Sequence, residues 1–194
     1  QINKNPIYIS RHGESIYNTQ DRIGGDSELT LNGEQYSIKL SEFMKSENNN
    51  FKTYTSCFKR TIMTGKYITE NKISCNLLNE INAGICEHMT YKEVEKKFPE
   101  LYESRKKNKL EFRYPEGESY LDLVEKLKLF VLNLECIDTP ILIISHRAVI
   151  RILLSYYLNI NLKEITSIDV KLNQLIKLTP SSSNYKIEYI DLTP

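Results

Sequence analysis

The sequence lacks the charge imbalance and the long apolar runs that mark two broad classes of protein. Its 194 residues carry 26 lysines and arginines against 25 aspartates and glutamates, which gives a net charge of +1. Proteins that bind nucleic acid usually show a clear basic excess, so we expect no nucleic-acid partner. No apolar run approaches the ~20 residues that a membrane span requires, so we expect no membrane partner.

Paired metal-binding cysteines are also missing. The four cysteines form no CxxC pair; they are Cys57, Cys75, Cys86 and Cys136. We interpret them as reduced thiols in a cytoplasmic protein rather than as disulfides. Cys86 and His88 lie two residues apart, but no second ligand pair accompanies them, as a zinc site would require. We therefore expect neither a metal nor a cofactor.

The length of the chain suits a single domain. A chain of 194 residues buries roughly 70 % of the surface that its unfolded form exposes, so one domain over residues 1–194 needs no disulfide or metal. No signal-peptide pattern opens the sequence, which starts with Gln1 rather than Met. We therefore expect an excised domain or a processed form of a longer protein.

Short apolar segments predict the strands. They lie at 6–10, 53–56, 74–77, 140–145, 172–178 and 186–191, and loops are predicted at 48–50 and 181–183. The segments 6–10 and 140–145 are almost wholly apolar, which is typical of the interior of a parallel sheet that is covered on both faces.

Helical spacing fills the segments between these strands. Thr30 is placed to cap a first helix, whose inward face carries Tyr36, Leu40, Phe43 and Met44. Two capping boxes predict further helices, at Thr90/Glu93 and at Ser119/Asp122. Pro99 lies just past the short helix that the Thr90/Glu93 capping box begins. A last helix is predicted at 148–158. The alternation predicts an α/β fold, with a mainly parallel sheet and helices on both faces.

Two histidines follow the two most apolar strands. A loop of about nineteen residues, RHGESIYNTQDRIGGDSEL, begins with Arg11 and His12, and compact domains seldom carry so long a loop without a function. His146 follows the strand at 140–145 in the same way. If the two strands are neighbours, both rings meet at the carboxyl edge of the sheet, where such folds bind ligands. The alternative is that each histidine fills a polar position at a strand end.

Arginine is scarce in this sequence, and several arginines lie near these histidines. There are 19 lysines but only 7 arginines, and arginine makes bidentate contacts with phosphate that lysine does not reproduce. Arg11, Arg60 and Arg151 together with the two histidines predict an anion pocket. Guanidinium groups favour a neutral imidazole, which is a nucleophile toward phosphorus, and they stabilise the charge of a phosphoryl transition state.

Several motifs resemble one family over nearly the whole chain. RHGES with Asn18 resembles the histidine phosphatase superfamily, which has the phosphoglycerate-mutase-like fold, a three-layer sandwich. The ordered segments RIGGDSELT, TSCFKRTIMTG, LNEINAGICEHMTYKEV, FRYPEGESYLDLV and SHRAVIRILLSYYL resemble the fructose-2,6-bisphosphatase domain of the bifunctional 6-phosphofructo-2-kinase/fructose-2,6-bisphosphatase enzymes. No GxxxxGK[ST] phosphate loop is present, so this sequence holds no kinase half.

The resemblance implies roles for individual residues. His12 is implied to be the nucleophile that becomes phosphohistidine, and Glu80 the acid that protonates the departing sugar oxygen. The implied shell around the transferred 2-phosphate consists of Arg11, Asn18, Arg60 and His146. The backbone of Gly24 is implied to approach the sugar. For Glu80, the alternative is a carboxylate that is simply paired with arginine.

A second group of residues is implied to hold the 6-phosphate end of the substrate. It consists of Tyr91, Arg105, Lys109, Tyr120 and Arg151. Arg105 and Lys109 share one face if their segment is helical, although the run RKKNK alone also fits a solvated surface. Arg147 departs from the family, which usually has glutamine there. We expect its guanidinium to reach the sugar or the 6-phosphate; the alternative is that it faces solvent or pairs with a carboxylate.

The function implied is hydrolysis of fructose 2,6-bisphosphate at its 2-phosphate, which gives fructose 6-phosphate and phosphate. Two alternatives remain: a phosphoglycerate mutase or broad-specificity phosphatase on the same scaffold, and a catalytically silent regulatory module. The presence of His12, His146 and Glu80 argues against the silent module. The expected partners are a phosphorylated sugar and, in the full-length protein, a kinase domain.

Overall fold

A six-stranded sheet forms the centre of the molecule, for which a computed structural model describes residues 4–47, 50–68 and 71–194. The strands are β1 (Ile7–Arg11), β2 (Lys52–Thr55), β3 (Lys72–Ser74), β4 (Ile141–Ser145), β5 (Gln174–Pro180) and β6 (Tyr185–Asp191). Their order is β3-β2-β4-β1-β5-β6. The strands β1 to β4 are parallel to one another, whereas β5 is antiparallel to β1 and β6 is antiparallel to β5. Five of the six predicted strands are confirmed, with small shifts of their ends. The strand predicted at 74–77 overlaps β3 only at Ser74, because Asn76–Leu78 form a 3₁₀ turn.

Helices flank the sheet. They are α1 (Ile16–Thr19), α2 (Leu31–Glu47), α3 (Lys59–Thr64), α4 (Tyr91–Lys97), α5 (Pro99–Lys107), α6 (Tyr120–Leu134) and α7 (Arg147–Leu158). Short 3₁₀ turns cover Asn76–Leu78, Gly84–Cys86 and Leu162–Ser167. Within the three described ranges, no helix has the length and the apolar character needed to cross a membrane.

Alternate residues of the central strands supply two separate cores. Ile9 and Ile143 belong to the core beneath α6 and α7, whereas Tyr8 and Leu142 belong to the core beneath α2. This period of two is what an extended strand imposes, and it places one layer of helices on each face of the sheet. The predicted three-layer α/β sandwich is confirmed.

Some details of the helices differ from the prediction. The long segment after β1 is not free of secondary structure, because α1 lies within it. Pro99 lies just past α4, as predicted, and it is also the first residue of α5, where the missing N–H of proline costs no hydrogen bond. The helix α3 was not predicted, because its N-cap residue, Phe58, makes no side-chain capping bond. Of the predicted inward face of α2, Phe43 is only partly buried. In the loop predicted at 48–50, positions 48 and 49 lie outside the described residues.

The pairing of β1 with β4 brings the two histidines together. The register places Arg11 beside Ser145, so the next residue of each strand lies at the same carboxyl edge. His12 continues the ladder, since its backbone N–H donates to the carbonyl oxygen of Ser145 at 3.0 Å. Both histidine side chains are therefore positioned by the most buried part of the sheet.

The first turn of α2 packs tightly against the segment that follows His12. A Cβ atom added to Gly33 would lie 2.2 Å from the carbonyl oxygen of Glu14, and one added to Gly13 would lie 2.7 Å from the carbonyl oxygen of Gly33. Both distances are far below van der Waals contact and involve backbone atoms. The two glycines therefore allow the helix and the loop to approach each other.

We predict that Gly33→Ala destabilises the protein. At an ordinary exposed helix position the same substitution would stabilise the helix by roughly 1 kcal/mol. The steric conflict with Glu14 should outweigh this gain and lower the free energy of unfolding by about 1–3 kcal/mol. Gln35→Ala, at an exposed position of the same helix, should change it by less than about 0.5 kcal/mol. Urea unfolding of both variants measures the difference. A more stable Gly33→Ala would contradict the packing described.

Candidate active site

A cavity of about 350 Å³ opens at the carboxyl edge of β1 and β4. Twelve of the thirteen predicted site residues line it, the exception being His146. Six of the seven arginines are among the lining residues: Arg11, Arg22, Arg60, Arg105, Arg147 and Arg151. Of the 19 lysines, the lining includes only Lys109. Such a concentration of guanidinium groups suits a ligand with more than one phosphate.

His12 is buried in the wall of this cavity with its ring orientation fixed. Its Nδ1 lies 2.7 Å from the carbonyl oxygen of Gly13. A carbonyl oxygen only accepts, so Nδ1 must carry the proton and donate it. In a neutral ring, the lone pair is then on Nε2. This is the tautomer that a nucleophilic histidine needs when it attacks through Nε2.

The surroundings of His12 keep the ring neutral. Burial lowers its pKa well below the usual value for histidine, and the charges of Arg11, Arg60 and Arg147 lower it further. The hydrogen bond to Gly13 opposes this shift without reversing it. The guanidinium cluster that would bind a phosphate therefore also maintains the nucleophilic form of His12.

His146 lies behind His12 rather than on the cavity wall. The two ring centroids are 5.3 Å apart. Nε2 of His146 lies 2.7 Å from Oγ of Ser56, and the ring makes an edge contact with Phe58. Burial lowers its pKa well below the usual value, and Arg60, His12 and Arg11 add to this effect.

Two buried nitrogen atoms at the site have no hydrogen-bond partner among the described residues. They are Nδ1 of His146 and Nε of Arg11. Most buried polar atoms in proteins have a hydrogen-bond partner, so two such atoms without a partner beside one cavity need an explanation. An oxygen atom of a bound phosphate would supply an acceptor for Nε of Arg11, and also for Nδ1 of His146 when Ser56 donates to Nε2 and the ring proton is on Nδ1.

Arg11 and Arg60 are held by backbone carbonyl groups. Arg11 donates from Nη1 to Val170 at 3.4 Å, and burial together with the charge of Arg147 lowers its pKa to about 10. Arg60 donates from Nη1 to Gly25 at 2.7 Å and lies over the ring of Phe58. Both guanidinium groups are thus fixed before any ligand binds.

The short helix α1 positions Asn18. Its Oδ1 accepts from the backbone N–H of Ser15 at 2.9 Å, while its own backbone N–H donates to Oγ of Ser15 at 3.2 Å. This capping box occupies the side-chain oxygen, which leaves the Nδ2 group as a donor toward the cavity that Asn18 lines.

Glu80 presents one carboxylate oxygen to the cavity. Its Oε1 accepts from the backbone N–H of Ile81 at 2.9 Å. Oε2 has no hydrogen-bond partner within the described parts of the chain. Glu80 is therefore not tied to an arginine by a short ion pair, which was the alternative to its role as an acid.

At the far end of the cavity, tyrosines hold the arginines. Arg105 donates to the hydroxyl of Tyr91 at 3.2 Å and lies 4.9 Å from the centre of that ring. Arg151 donates to the hydroxyl of Tyr120 at 2.9 Å and, through Nε, to Ile168 at 2.7 Å. These arginines form a second cationic group of the cavity wall, whereas Arg11 and Arg60 are the arginines whose charges act on both histidines.

Lys109 lies at this end too, but not for the predicted reason. The helix α5 ends at Lys107, so the condition for a shared helix face of Arg105 and Lys109 is not met. Both still line the cavity. Burial, followed by the charges of Arg105, Arg151 and Arg147, lowers the pKa of Lys109 to about 8.

Arg147 begins α7 one turn before Arg151, and both line the cavity. Unlike the other five arginines of the wall, Arg147 makes no hydrogen bond or ion pair with any described residue. It is exposed, yet its charge acts on Arg11 and on Lys109. The guanidinium thus lies within electrostatic reach of both ends of the cavity.

A sequence profile of the histidine phosphatase superfamily (branch 1) matches residues 7–193. The chain belongs to this superfamily. The pair of buried histidines and the arginine-rich cavity are therefore features of a histidine phosphatase domain, as the motifs of the sequence implied.

The curated relatives have names that fit this assignment. "6-phosphofructo-2-kinase/fructose-2,6-bisphosphatase" of Arabidopsis thaliana is 44% identical over 177 residues, which are 89% of this chain and 24% of that protein. "Fructose-2,6-bisphosphatase" of Saccharomyces cerevisiae is 41% identical over 186 residues, 95% of this chain and 41% of that protein. "6-phosphofructo-2-kinase/fructose-2,6-bisphosphatase 1" of Homo sapiens is 42% identical over 187 residues, which are 96% of this chain and 40% of that protein. The chain thus spans between about a quarter and two fifths of these relatives.

Solved structures share the fold at low sequence identity. A putative alpha-ribazole-5'-P phosphatase from Escherichia coli superposes with a TM-score of 0.87 at 16% identity, covering 97% of both chains. YhfR from Bacillus stearothermophilus gives 0.83 at 21% identity, covering 94% of this chain and 95% of its own. The phosphoglycerate-mutase-like fold of the superfamily is therefore present here.

Sequence reasoning missed several lining residues of this histidine phosphatase cavity, namely Ser15, Tyr17, Arg22 and Tyr114. Arg22 carries a signal that was available, because it is one of only seven arginines and lies beside Gly24 and Gly25. Tyr114 carries none, since thirteen tyrosines make any single one uninformative. In the structure, the centre of its ring lies 5.7 Å from the guanidinium carbon of Arg105, a predicted site residue.

Proposed function

We propose that this domain hydrolyses the 2-phosphate of fructose 2,6-bisphosphate and releases fructose 6-phosphate and phosphate through a phosphohistidine at His12. The observation that carries the proposal is the fixed, neutral ring of His12, with Nδ1 bound to Gly13 at 2.7 Å, inside a cavity lined by six arginines. The names of the relatives, which are 41–44% identical, support the same reaction.

The division of the cavity into two cationic ends supports a bisphosphate as substrate. The transferred phosphate would lie at the end formed by Arg11, Asn18, Arg60 and the two histidines. The 6-phosphate would lie at the end formed by Tyr91, Arg105, Lys109, Tyr120 and Arg151. Gly24 and Arg147 line the same cavity, and the backbone of Gly24 and the side chain of Arg147 would contact the sugar.

In the first step, Nε2 of His12 bonds to phosphorus while the bond from phosphorus to the sugar oxygen breaks. Arg11 and Arg60 stabilise the negative charge on the phosphoryl oxygens in the transition state. Glu80, in its protonated form, donates a proton to the departing oxygen, and fructose 6-phosphate leaves.

In the second step, water attacks the phosphorus of phosphohistidine. The Glu80 carboxylate accepts a proton from this water, and the bond from phosphorus to Nε2 of His12 breaks. Inorganic phosphate leaves, and the neutral imidazole and the protonated Glu80 are restored. The cycle balances without a metal or a cofactor. His146 lies behind His12, and its unpaired Nδ1 would donate to a phosphoryl oxygen that reaches past the His12 ring.

The context proposed for the domain follows its relatives. This chain spans 40% of the human bifunctional protein, whose name includes a kinase, and this supports a kinase domain in the full-length protein. We place the protein in the cytoplasm, with a phosphorylated sugar as its partner and neither nucleic acid nor a membrane. Residues 1–194 form one domain in this proposal.

A phosphate-release panel tests the proposal. The substrates are fructose 2,6-bisphosphate, 3-phosphoglycerate, 2,3-bisphosphoglycerate and a nonspecific aryl phosphate, each at matched concentrations. The largest kcat/KM should belong to fructose 2,6-bisphosphate. Preference for a phosphoglycerate would instead indicate mutase-like chemistry. Similar rates on all four substrates would indicate a broad-specificity phosphatase, and no phosphate release from any of them would indicate a silent module.

The phosphoenzyme provides the first prediction from the mechanism. Brief mixing with substrate labelled in the 2-phosphate should give protein label that is labile in acid and stable in base. His12→Ala should abolish it. His88→Asn is the control, because asparagine tolerates the positive φ of 70° at His88, and it should retain the label. Label that persists in His12→Ala would refute the assignment of the nucleophile.

The leaving group decides how much Glu80 matters. An acid that protonates the departing oxygen contributes least when that oxygen already leaves easily. Glu80→Gln should therefore slow hydrolysis of fructose 2,6-bisphosphate by about 10²–10⁴-fold and that of an aryl phosphate with an acidic phenol much less. Steady-state rates on both substrates give the comparison. An equal loss on both would make Glu80 a structural residue.

The role of Arg147 appears in KM. A charge-assisted contact made in both ground and transition states should raise KM by about tenfold in Arg147→Gln and leave kcat nearly unchanged. The dependence of kcat/KM on ionic strength should also flatten. Arg113→Gln is the matched control, because Arg113 is the arginine outside the cavity and is exposed beside Asp122. Unaltered KM and salt response in Arg147→Gln would place Arg147 outside the site.

A further inference from the structure

A carboxylate outside the reaction path holds the glycine turn at the cavity wall. Both Gly24 and Gly25 have φ of +66°, a conformation that favours glycine. Oε2 of Glu87 accepts from the backbone N–H of Gly25 at 2.6 Å, and Oε1 accepts from the backbone N–H of Ala83 at 2.8 Å. The same carboxylate occupies the space beside Gly24, where an added Cβ would lie 2.0 Å from Oε2.

The backbone around this carboxylate ties two segments together. Ile23 donates its N–H to Met89 and accepts the N–H of His88, both at 2.8 Å. Residues 87–89 thus run beside residues 23–25 and support them from outside the cavity. Neither segment belongs to the sheet, so these few hydrogen bonds determine where the glycine turn lies.

The glycine turn in turn positions Arg60. The carbonyl oxygen of Gly25 accepts from Nη1 of Arg60 at 2.7 Å. Arg60 is only 5% exposed, and on its other side the guanidinium lies 5.0 Å from the ring centre of Phe58. A contiguous series of contacts therefore leads from Glu87 through Gly25 to a guanidinium that faces the phosphate end of the cavity.

We infer that Glu87 is a positioning residue for the phosphoryl transfer. Its two oxygens fix Ala83 and Gly25, and the carbonyl of Gly25 then aims Arg60 at the transferred phosphate. Glu87 does not line the cavity and touches neither substrate nor the reacting atoms. The inference rests on the proposed phosphatase function, because it gives Arg60 its task.

The chemistry of the two hydrogen bonds explains why a carboxylate is needed. An ionised carboxylate only accepts, so both oxygens can receive a backbone N–H. A glutamine has nearly the same volume, but its amide nitrogen would meet one of these N–H groups with a second donor. Glu87→Gln therefore keeps the packing and loses one of the two anchors.

Ligand binding at the two ends of the cavity tests this inference. The full chain is titrated with inorganic phosphate, which probes the His12 end, and with glucitol 6-phosphate, which probes the Arg105 end. In Glu87→Gln, the affinity for inorganic phosphate should fall about tenfold, which is the effect of losing a charge-assisted contact. The affinity for glucitol 6-phosphate should change by less than about twofold. With fructose 2,6-bisphosphate, kcat should fall more than KM rises. Glu95→Gln, at an exposed position of α4, is the control.

Glu87→Ala should repeat the pattern with a larger loss of phosphate affinity. Unchanged phosphate affinity and kcat in Glu87→Gln would overturn the inference. Equal weakening at both ends, together with a lower Tm, would also overturn it, because it would indicate general loosening. The binding measurements do not require turnover, so failure of the unaltered chain to hydrolyse fructose 2,6-bisphosphate would contradict the proposed function instead.

Discussion

The parallel pairing of β1 with β4 is the constraint on which the rest of the structure depends. It joins two strands from distant parts of the chain, with Arg11 beside Ser145, and so places His12 and His146 at one edge with ring centroids 5.3 Å apart. The strands are buried on both faces, so a shift of register by one residue would move each buried side chain to the opposite layer. The core thereby determines the geometry of the reacting groups.

Concentrated positive charge is the second requirement of the site. Burial, followed by mutual repulsion, lowers the pKa of Arg11 to about 10 and that of Lys109 to about 8. Such a cluster is unfavourable alone and becomes favourable when phosphate groups enter it. The same charges keep His12 unprotonated, so binding of the substrate and activation of the nucleophile have one physical origin.

The sequence predicted what depends on local pattern, and it missed what depends on distant contacts. Apolar runs identified five of the six strands, whereas the exposed strand β3 begins two residues before the segment predicted for it. The helix α3 escaped because nothing at Phe58 signals a cap; its last residue, Thr64, is instead fixed by the N–H of Gly13 at 2.8 Å. Likewise Lys109 reaches the cavity from beyond the end of α5, which no periodicity of the segment indicates.

The protonation state of His12 is the central claim, and nitrogen NMR of the chain labelled in its histidines tests it most directly. Because the pKa of His12 is lowered, its ring should remain neutral when the pH falls below 6.5, the usual histidine value. The spectrum should show a proton on Nδ1 and none on Nε2 at pH 6. An imidazolium at that pH, or a neutral ring with its proton on Nε2, would contradict the account.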